Sequence, residues 1–409
     1  MAEDAAASAL AEVVRDEGRR VLATLIRTTG SVTVAEDAVQ EASIAALEHW
    51  PREGVPDNPR AWLTTVARRK AVDAIRRDAN RSDKEVRAMD LTGPAPDLPD
   101  SVVRDDLLRL VFTCCHPSLS VAAQTTLSLN TLCGLSVADC ARLLLTTEST
   151  MARRLGRTKQ KIAIAGIPYR IPSDAELPAR LDAVASTAYL LFTAGIAGTE
   201  DAVRPELCDE AIRLGRLLVD LMPDESSLQG LLALMLLTDA RRTTRVDAAG
   251  DLVLLADQDR SQWDAALIAE GLPLVERALQ RSRQRAGRFE LQAAIAACHA
   301  SAASYAETDW ADIVALYDAL LVVEPTEIVR LNRAVALGEG DGPLAGLAAL
   351  DELTGLDRFH LWHACRAELL ARLGRTEQSV NAFRRALECG PPTADQRHLE
   401  RRIAATSPR

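Results

Sequence analysis

The stretch that decides the fold runs from Ala35 to Arg81 and reads AEDAVQEASIAALEHWPREGVPDNPRAWLTTVARRKAVDAIRRDANR. Its first part places acidic residues four and seven positions apart, so they share one face of a helix, while small apolar residues share another. The acidic set is Asp37, Glu41 and Glu48, and the apolar set is Ala35, Val39, Ala42 and Ala46. We therefore expect an amphipathic helix that buries one face and offers the other to a partner.

A proline-containing loop and a second helix follow. We expect Trp50-Pro51 to end the first helix, because proline cannot continue the backbone hydrogen-bond ladder. Pro56 and Pro59 then keep the loop stiff, and a helix begins near Arg60. Its core side carries Trp62, Leu63, Val66, Ala67, Ala71 and Ile75, whereas Thr65, Arg69 and Arg76 form an exposed stripe flanked by Arg68 and Arg77. From residue 60 to 81, seven basic residues oppose two acidic ones.

The composition indicates a folded helical protein. The chain has 409 residues, enough for two to three domains, and 48% of them are hydrophobic. Aromatic residues make up 3%, and alanine and leucine dominate, which favours helices packed on helices. Eight cysteines form no C-x-x-C pair, and the acidic amino terminus lacks the apolar core of a signal peptide, so we expect a cytoplasmic protein with reduced thiols. The most hydrophobic windows, 181–197 and 228–237, are interrupted or short, so we expect buried helices rather than membrane spans.

The net charge of −10 is distributed unevenly. Residues 1–170 carry 23 basic and 22 acidic residues, whereas residues 171–409 carry 25 and 36. The positive charge of the first part is concentrated in residues 60–81 and 153–170, and the latter segment contains no acid. Clustered positive charge is typical of a surface that binds a phosphate backbone, although a basic helix face can also be merely solvated. The two halves are therefore expected to face different partners.

A linker composition, with prolines, Gly93 and acids, marks residues 88–100 as a domain boundary. Helices are expected from Val102 to Cys114 and from Ala122 to Cys133, with a break at His116-Pro117-Ser118. The next stretch predicts a helix-turn-helix, in which Ser136 caps the first helix and Thr146-Thr147 opens the second. Its buried positions are Ala138, Ala141, Leu144 or Leu145, Met151 and Leu155.

The second helix of this motif places polar and basic residues outside. They are Ser149, Thr150, Arg153, Arg154 and Arg157. In a helix that lies in the major groove, such side chains reach base edges or phosphates. Many helical hairpins share the pattern, so the preceding basic helix and linker are what favour DNA binding here.

Separate phrases along nearly the whole chain resemble one family. AEDAVQEA, PRAWLTTVARRKAVDAIRR and TMARRLGRTKQKI resemble regions 2 and 4 of the extracytoplasmic-function (ECF) sigma factors of bacterial RNA polymerase. VPDNPRAWL, LRLVFTCCHPSLS, LCDEAIRLGRLL, LLALMLLTDARR, GDLVLLADQDRSQWD and LQAAIAACHA resemble the subgroup with a long tetratricopeptide-like extension. The resemblance implies an all-α fold with a region-2 bundle (1–87), a linker (88–100), a region-4 helix-turn-helix (101–172) and a tetratricopeptide-like regulatory domain (173–409).

The resemblance also implies roles for particular residues. Asp37, Gln40 and Glu41 would dock on the clamp helices of the polymerase beta-prime subunit. Asn58, Arg60, Thr65, Arg68 and Arg69 would hold the melted −10 strand, and Ser149, Thr150, Arg153, Arg154 and Arg157 would bind the −35 duplex. Trp62 is expected in the core rather than as a stacking platform, since it lies on the apolar side with Val66. The polymerase would supply the chemistry, so this chain is not expected to be an enzyme or to need a cofactor.

A repeat can be measured beyond Pro172. Tyr317, Leu350 and Phe383 are 33 residues apart, and a small residue precedes each by sixteen positions, namely Ser301, Ala334 and Ala367. This period predicts three stacked helical hairpins from about 294 to 391 with a capping tail. Residues 175–290 are also expected to be helical, without a clear period. The family's NEGY motif is replaced by Thr193-Ala194-Gly195-Ile196, which puts a binding role for that loop in doubt.

Other polar clusters predict no chemistry. Cys114, Cys115 and His116 with Cys133 and Cys140, and His360, His363 and Cys365, lack the paired spacing of zinc ligands, so no metal is expected. GEGDG at 338–342 is expected to be a turn between repeat helices.

The sequence therefore predicts a sigma factor that binds core RNA polymerase and promoter DNA and directs initiation. Its C-terminal domain would regulate that activity, with a protein or ligand as a possible partner of the repeats. The alternative is a helix-turn-helix regulator or adaptor that binds proteins through its repeats without engaging polymerase.

Overall fold

The computed structural model describes most of the chain as α-helix. The described residues are 2–79, 109–132, 134–144, 146–167, 180–197, 205–247, 250–282 and 285–406. Within these ranges, extended pairing is limited to one isolated bridge between Val246 and Leu252, so the expected all-α fold is confirmed. None of the helices in these ranges is long and apolar enough to cross a membrane. The predicted linker at 88–100 lies outside the described residues.

The chain divides into two compact units, residues 1–191 and 192–409. Unit 1 opens with three packed helices, α1 (Ala2–Thr29), α2 (Val32–Glu53) and α3 (Pro59–Ala79). Ser31 caps α2, since its side chain accepts the N–H of Val34 at 3.3 Å. Fully buried alanines on α2 and α3, with Leu63, form the predicted inner faces: Ala35, Ala42, Ala46, Ala67 and Ala71. These small side chains let the three helices approach closely.

The end of α2 differs from the prediction. The helix passes through Trp50-Pro51 and stops at Gly54, whose backbone N–H donates to the Trp50 carbonyl at 3.0 Å. Proline removes the hydrogen bond to the Leu47 carbonyl, but Leu47 is exposed, so water can take its place. Gly54 has φ 88° and ψ 159°, a conformation that is essentially restricted to glycine. The prediction was wrong because the helix ends at this glycine rather than at the proline.

A second bundle completes unit 1. It contains helical residues 109–114, α4 (Val121–Thr131), α5 (Val137–Leu143), α6 (Glu148–Ile164) and the first part of α7 (Leu181–Ala197). The Cys115 thiol lies 2.9 Å from the Thr187 hydroxyl, which also lies 3.4 Å from that of Ser128. Arg180 donates to the Phe112 carbonyl at 3.4 Å. Residues 180–191 are therefore part of this bundle.

Unit 2 starts with the end of α7 and three further helices. They are α8 (Pro205–Leu221), α9 (Ser226–Asp239) and α10 (Ala265–Arg281). Helix α9 packs against its neighbours on several sides, and every residue from Leu228 to Leu237 is buried. Both apolar windows thus form helices, and the second is buried throughout, as expected. The α9–α10 connection contains three 3-10 helices, Arg242–Thr244, Leu255–Asp257 and Arg260–Gln262.

Three helical hairpins and a final helix complete unit 2. The hairpins are α11 (Arg288–Ser301) with α12 (Trp310–Val323), α13 (Glu327–Gly340) with α14 (Pro343–Asp351), and α15 (His360–Arg372) with α16 (Thr376–Glu388), and α17 (Thr393–Thr406) packs on α16. The second helices begin at residues 310, 343 and 376, so the period of 33 is present. The predicted GEGDG turn is shorter than expected, because α13 continues to Gly340.

The small residue that precedes each repeat anchor by sixteen positions is buried in the last two hairpins and exposed in the first. Ala334 and Ala367 are fully buried, whereas Ser301 is exposed at the end of α11. Gly346 and Ser379, twelve positions after Ala334 and Ala367, lie at helix crossings. The equivalent position in the first hairpin, twelve after Ser301, is Ile313. The Ser379 hydroxyl donates to the Ala367 carbonyl at 2.8 Å, a contact that a branched side chain would block. The first hairpin consequently uses different packing.

Gly346 provides a test of this close crossing. An added Cβ would lie 2.7 Å from the Gly338 Cα and 2.9 Å from the Ala334 carbonyl oxygen. We expect Gly346→Ala to destabilise unit 2 by about 1 to 3 kcal/mol. The control is Gly156→Ala on α6, where a Cβ meets nothing within 4 Å, and helix propensity should stabilise the protein by up to about 1 kcal/mol. Denaturant unfolding followed by circular dichroism measures both, and effects of the same sign would contradict the crossing geometry.

Candidate nucleic-acid interface

Helices α5 and α6 form a short hairpin whose helices are capped by side chains. The Ser136 hydroxyl accepts the Asp139 N–H at 3.0 Å and donates to the Asp139 carboxylate at 2.7 Å. Thr147 caps α6 by accepting the Thr150 N–H at 3.3 Å. Met151 and Leu155 are buried as predicted. The outer face of α6 is thereby held in a fixed orientation.

A basic cleft of about 470 Å³ lies along this outer face. Its lining comes from α6 and from the start of α4: Leu119, Ser120, Ala123, Thr150, Arg153, Arg154, Arg157, Thr158 and Lys161. Four of these side chains are cationic and none is acidic. The N-terminus of α4 adds partial positive charge from backbone N–H groups. The cleft therefore suits a phosphate-bearing ligand.

The cleft gathers four of the five residues predicted for the −35 element. Arg153 and Arg157 are exposed, and Arg154 is half-buried and donates to the Thr126 hydroxyl at 3.4 Å. Ser149 is exposed on α6 but does not line the cleft, and its carbonyl accepts a hydrogen bond from Arg153 at 3.4 Å. Their roles in DNA binding stay predictions.

Two lysines of α6 have different surroundings, which the sequence did not distinguish. Lys161 lines the cleft and donates to the Ser118 carbonyl. Its spacing of four from Arg157 was the available signal. Lys159 instead forms an ion pair with Glu36 at 2.5 Å, with both side chains largely covered. Lys159 is therefore occupied within unit 1.

Helix α3 carries the residues predicted for the −10 strand. The Asn58 side-chain carbonyl caps the helix by accepting the Ala61 N–H at 3.0 Å, and Arg60 lies 3.7 Å from Glu17. Thr65 and Arg68 are half-buried, and the buried Arg68 Nε has no hydrogen-bond partner. Arg69 is exposed. The set thus combines two residues engaged within the protein with basic groups that remain available to a ligand.

Trp62 was expected in the core and is half-buried. Its ring lies 5.5 Å from that of Trp50 in a T-shaped arrangement, and 6.3 Å from the His49 ring. Edge-to-face packing of this kind stabilises an aromatic pair. The tryptophan therefore supports the junction of α2 and α3 while keeping part of its surface open.

The acidic stripe of α2 also contains exposed apolar residues. Asp37 and Gln40 are exposed, whereas Glu41 is half-buried and pairs with Lys70 at 3.5 Å. Ile44 and Leu47 continue the stripe with exposures of 57% and 48%. Sequence reasoning missed these two, although their spacing of three and four along the helix was visible. A stripe that mixes acidic and apolar groups is suited to docking a protein partner.

The clusters considered as zinc sites have other contacts. Among the described residues, no group of three or more histidine, cysteine or acidic side chains is placed to hold a metal. His360 pairs with Asp395 at 3.0 Å, and His363 Nε2 lies 2.8 Å from the Asp357 carbonyl. Cys115 is buried, and burial raises the pKa of its thiol to about 12, so the thiol stays protonated. Cys133 lies outside the described residues.

Comparisons with known proteins match both parts of the chain. The sigma-70 region 2 family model matches residues 13–81, and a model described as "Family of unknown function (DUF6596)" matches residues 180–279. The chain is 36% identical over 154 residues to ECF RNA polymerase sigma factor SigL of Mycobacterium tuberculosis, covering 37% of this chain and 85% of SigL. No solved structure matches.

Two further relatives match a shorter and a longer part of this chain than SigL does. ECF RNA polymerase sigma factor SigJ of M. tuberculosis is 41% identical over 69 residues, which cover 16% of this chain and 20% of SigJ. Uncharacterized protein R00370 of Rhizobium meliloti (strain 1021) is 39% identical over 393 residues, which cover 94% of this chain and 92% of that protein. The SigL match spans most of a sigma factor, and the R00370 match includes the extension. This chain therefore belongs to the ECF RNA polymerase sigma factors and carries a C-terminal extension.

Proposed function

We propose that this chain binds core RNA polymerase in the cytoplasm, directs it to particular promoters, and has its activity regulated by its C-terminal extension. The observation that carries the proposal is the basic cleft on α6, in a chain whose α2 presents an exposed acidic and apolar stripe. One surface suits duplex DNA and the other suits a protein. Run-off transcription with purified core polymerase tests the proposal, and failure to initiate at any promoter near its own gene would refute it.

The α2 stripe is the proposed docking site for the beta-prime clamp helices. Asp37, Gln40 and Glu41 would supply polar contacts, and the exposed Ile44 and Leu47 would be covered on binding. Burial of such apolar surface stabilises a complex by about 25 cal/mol per Å² before the costs of association. The ion pair of Glu41 with Lys70 leaves Asp37 as the more available carboxylate of these two.

Helix α3 and the preceding loop are proposed to hold the melted −10 strand. Asn58 uses its carbonyl oxygen as a helix cap, which leaves its NH₂ group for an unstacked base. Arg68 and Arg69 would follow the backbone, since single strands are held by basic grooves. Arg60 and Thr65 lie on the same helix, with Arg60 held towards Glu17.

Helices α5 and α6 are proposed to act as a helix-turn-helix that binds the −35 duplex. Arg153 and Arg157 are exposed and would reach bases or phosphates, with Ser149 and Thr150 near the start of α6. Ser120 at the start of α4 would place backbone N–H groups against a phosphate. The alternative, a DNA-binding regulator or adaptor without polymerase contacts, uses the same cleft but not the α2 stripe.

Charge reversal on the α2 stripe separates these two functions. We expect Asp37→Lys to weaken core polymerase binding by about tenfold or more, because it places a like charge against a cationic partner surface. Duplex DNA binding by the isolated chain should not change. The matched control is Glu53→Lys, an exposed acid in the last turn of α2 about 160° around the helix. Absence of polymerase binding by the unaltered chain would favour the adaptor, and equal measurable binding by both chains would contradict docking through Asp37.

The salt dependence of duplex binding tests the cleft without knowledge of the promoter. Loss of one phosphate contact lowers the slope of log affinity against log salt by about one. We expect this change for Arg157→Ala, measured by fluorescence anisotropy on a random-sequence duplex. Lys159→Ala removes the same charge from the same helix but faces Glu36, so its slope should stay unchanged. Equal slopes in the two variants would contradict the assignment.

Truncation tests the role of the extension, provided that the shortened chain keeps the whole of α7. Removal of everything after residue 179 deletes Arg180 and Thr187 from the second bundle of unit 1, so we expect lower stability and loss of duplex binding. Truncation after Ala197 keeps α7, and duplex binding should persist. In that variant, increased transcription would mean that the acidic extension inhibits, and lost transcription that it is required. Unchanged transcription would contradict regulation.

A further inference from the structure

The connection between α9 and α10 gathers positive charge in a unit whose overall charge is negative. Arg241, Arg245 and Arg260 come from this connection, and His299 comes from the last turn of α11. All four side chains are half-buried. Burial, and then the charges of Arg245 and Arg260, lower the pKa of Arg241 to about 10. Burial, and then the charges of Arg241 and Arg260, lower the pKa of His299 to about 4, so its imidazole is neutral at pH 7 and the three arginines carry the positive charge.

Hydrogen bonds join the described residues of this connection to one another. The Val253 N–H donates to the Arg245 carbonyl at 2.9 Å, next to the Val246–Leu252 bridge. The Trp263 indole N–H donates to the Thr244 hydroxyl at 3.1 Å, and the Asp264 N–H donates to the Ala240 carbonyl at 2.8 Å. The backbone on both sides of Arg241 and Arg245 is therefore fixed before any ligand arrives, which lowers the entropic cost of binding.

Two neighbouring arginines, in contrast, have guanidinium groups that are hydrogen-bonded within the protein. Arg242 donates to the carboxylates of Asp209 and Asp239 at 2.6 Å each. Arg260 donates to the carbonyls of His299 and Ala302 at 2.5 and 2.8 Å, and lies over the Trp263 ring at 4.6 Å. Both side chains are thus explained by the fold itself.

Arg241 and Arg245 have no such partners. Within the described ranges, neither guanidinium donates a hydrogen bond to another protein group or forms an ion pair. Asp239 acts on Arg245 only through space, and the groups that act on Arg241 are other arginines. The buried Nδ1 of His299 also lacks a hydrogen-bond partner. The donors of both guanidiniums therefore remain free to bind an incoming oxyanion.

We propose that Arg241, Arg245 and His299, with Arg260 as a fixed neighbour, bind a small oxyanion such as a phosphate ester or a polycarboxylate. The planar guanidinium presents paired N–H donors that match the oxygens of either group. An anion would also relieve the mutual repulsion of the cluster. Trp310, whose ring packs edge-on against His299 at 5.4 Å, provides an apolar wall beside the site. Nothing in polymerase or promoter binding uses these residues, so the site lies beyond the proposed function.

Isothermal titration calorimetry on the full chain tests the site with pyrophosphate and citrate as probes. We expect at least one to bind at millimolar concentration or below, and the preferred probe tells a phosphate ester from a polycarboxylate. Arg241→Gln should weaken that binding by about tenfold or more, the effect of losing a charged hydrogen-bond donor. Absence of binding by both probes, or unchanged binding in Arg241→Gln, would overturn the proposal.

Thermal unfolding without anion separates loss of a site from loss of the fold. Arg241→Gln removes an uncompensated charge, so its unfolding temperature should equal or exceed that of the unaltered chain. Arg242→Gln should instead lower it, because Asp239 is buried and loses its partner. A clear drop in Arg241→Gln would mean that the arginine is structural and would also overturn the proposal.

Two controls locate the binding. Arg384→Gln alters an exposed arginine of α16 and should bind the probe as the unaltered chain does. The double variant Arg157→Ala, Lys161→Ala removes two cations from the cleft of unit 1, and should also keep the affinity. Loss of binding in the cleft variant would assign the anion to the DNA surface and contradict the site in unit 2.

Discussion

Close helix packing through small side chains is the constraint on which the rest of the structure depends. In unit 1, Ala35, Ala42 and Ala46 of α2 are completely buried. In unit 2, Gly346 lies against the backbone of α13, and Ser379 bonds the Ala367 carbonyl. Alanine, glycine and serine bury little apolar area each, so stability must come from many close backbone contacts. A chain with 3% aromatic residues can fold in this way only if its helices approach closely.

This packing leaves the outer helix faces to charged residues, and internal ion pairs then decide which charges remain available. Glu36 occupies Lys159, Glu41 occupies Lys70, and Glu17 lies near Arg60. Exposed pairs of this kind contribute only about 0 to 1 kcal/mol each. Their larger effect is on recognition, because an arginine or lysine held by a carboxylate meets a phosphate less readily. Arg153 and Arg157 form no ion pair among the described residues, which makes them the strongest candidates for DNA contacts.

The helices and their buried faces followed from the sequence because spacing alone determines them. The period of three and four residues located α2, α3 and α6, and the period of 33 located the hairpins. The end of α2 did not follow, since a proline in a last turn costs only one exposed hydrogen bond whereas Gly54 adopts a conformation reserved for glycine. The expected close packing at Ser301 is also absent, because the residue at the partner position, Ile313, is too large for a close helix crossing.

The sites depended on contacts that no local pattern contains. Lys159 and Lys161 are two positions apart and equally basic, yet among the described residues only Lys159 meets a carboxylate. Ile44 and Leu47 were visible as apolar residues, but that they stay exposed is a property of the folded bundle. The Arg241 cluster joins residues up to 58 positions apart across one irregular connection. That Arg241 and Arg245 have no acceptor among the described residues is a property of the folded loop, which the order of residues does not indicate.

Helix α7 contributes residues to both units, since the boundary between them falls after Leu191. Its first part, through Thr187, packs within the bundle that carries the basic cleft. In its second part, within unit 2, the Phe192 carbonyl accepts a weak hydrogen bond from the Cys208 thiol. A ligand of unit 2 changes DNA or polymerase binding only if it favours one state of the chain over another. A truncation that spares the basic cleft must keep residues 180–191, because Arg180 and Thr187 pack within the bundle that carries it.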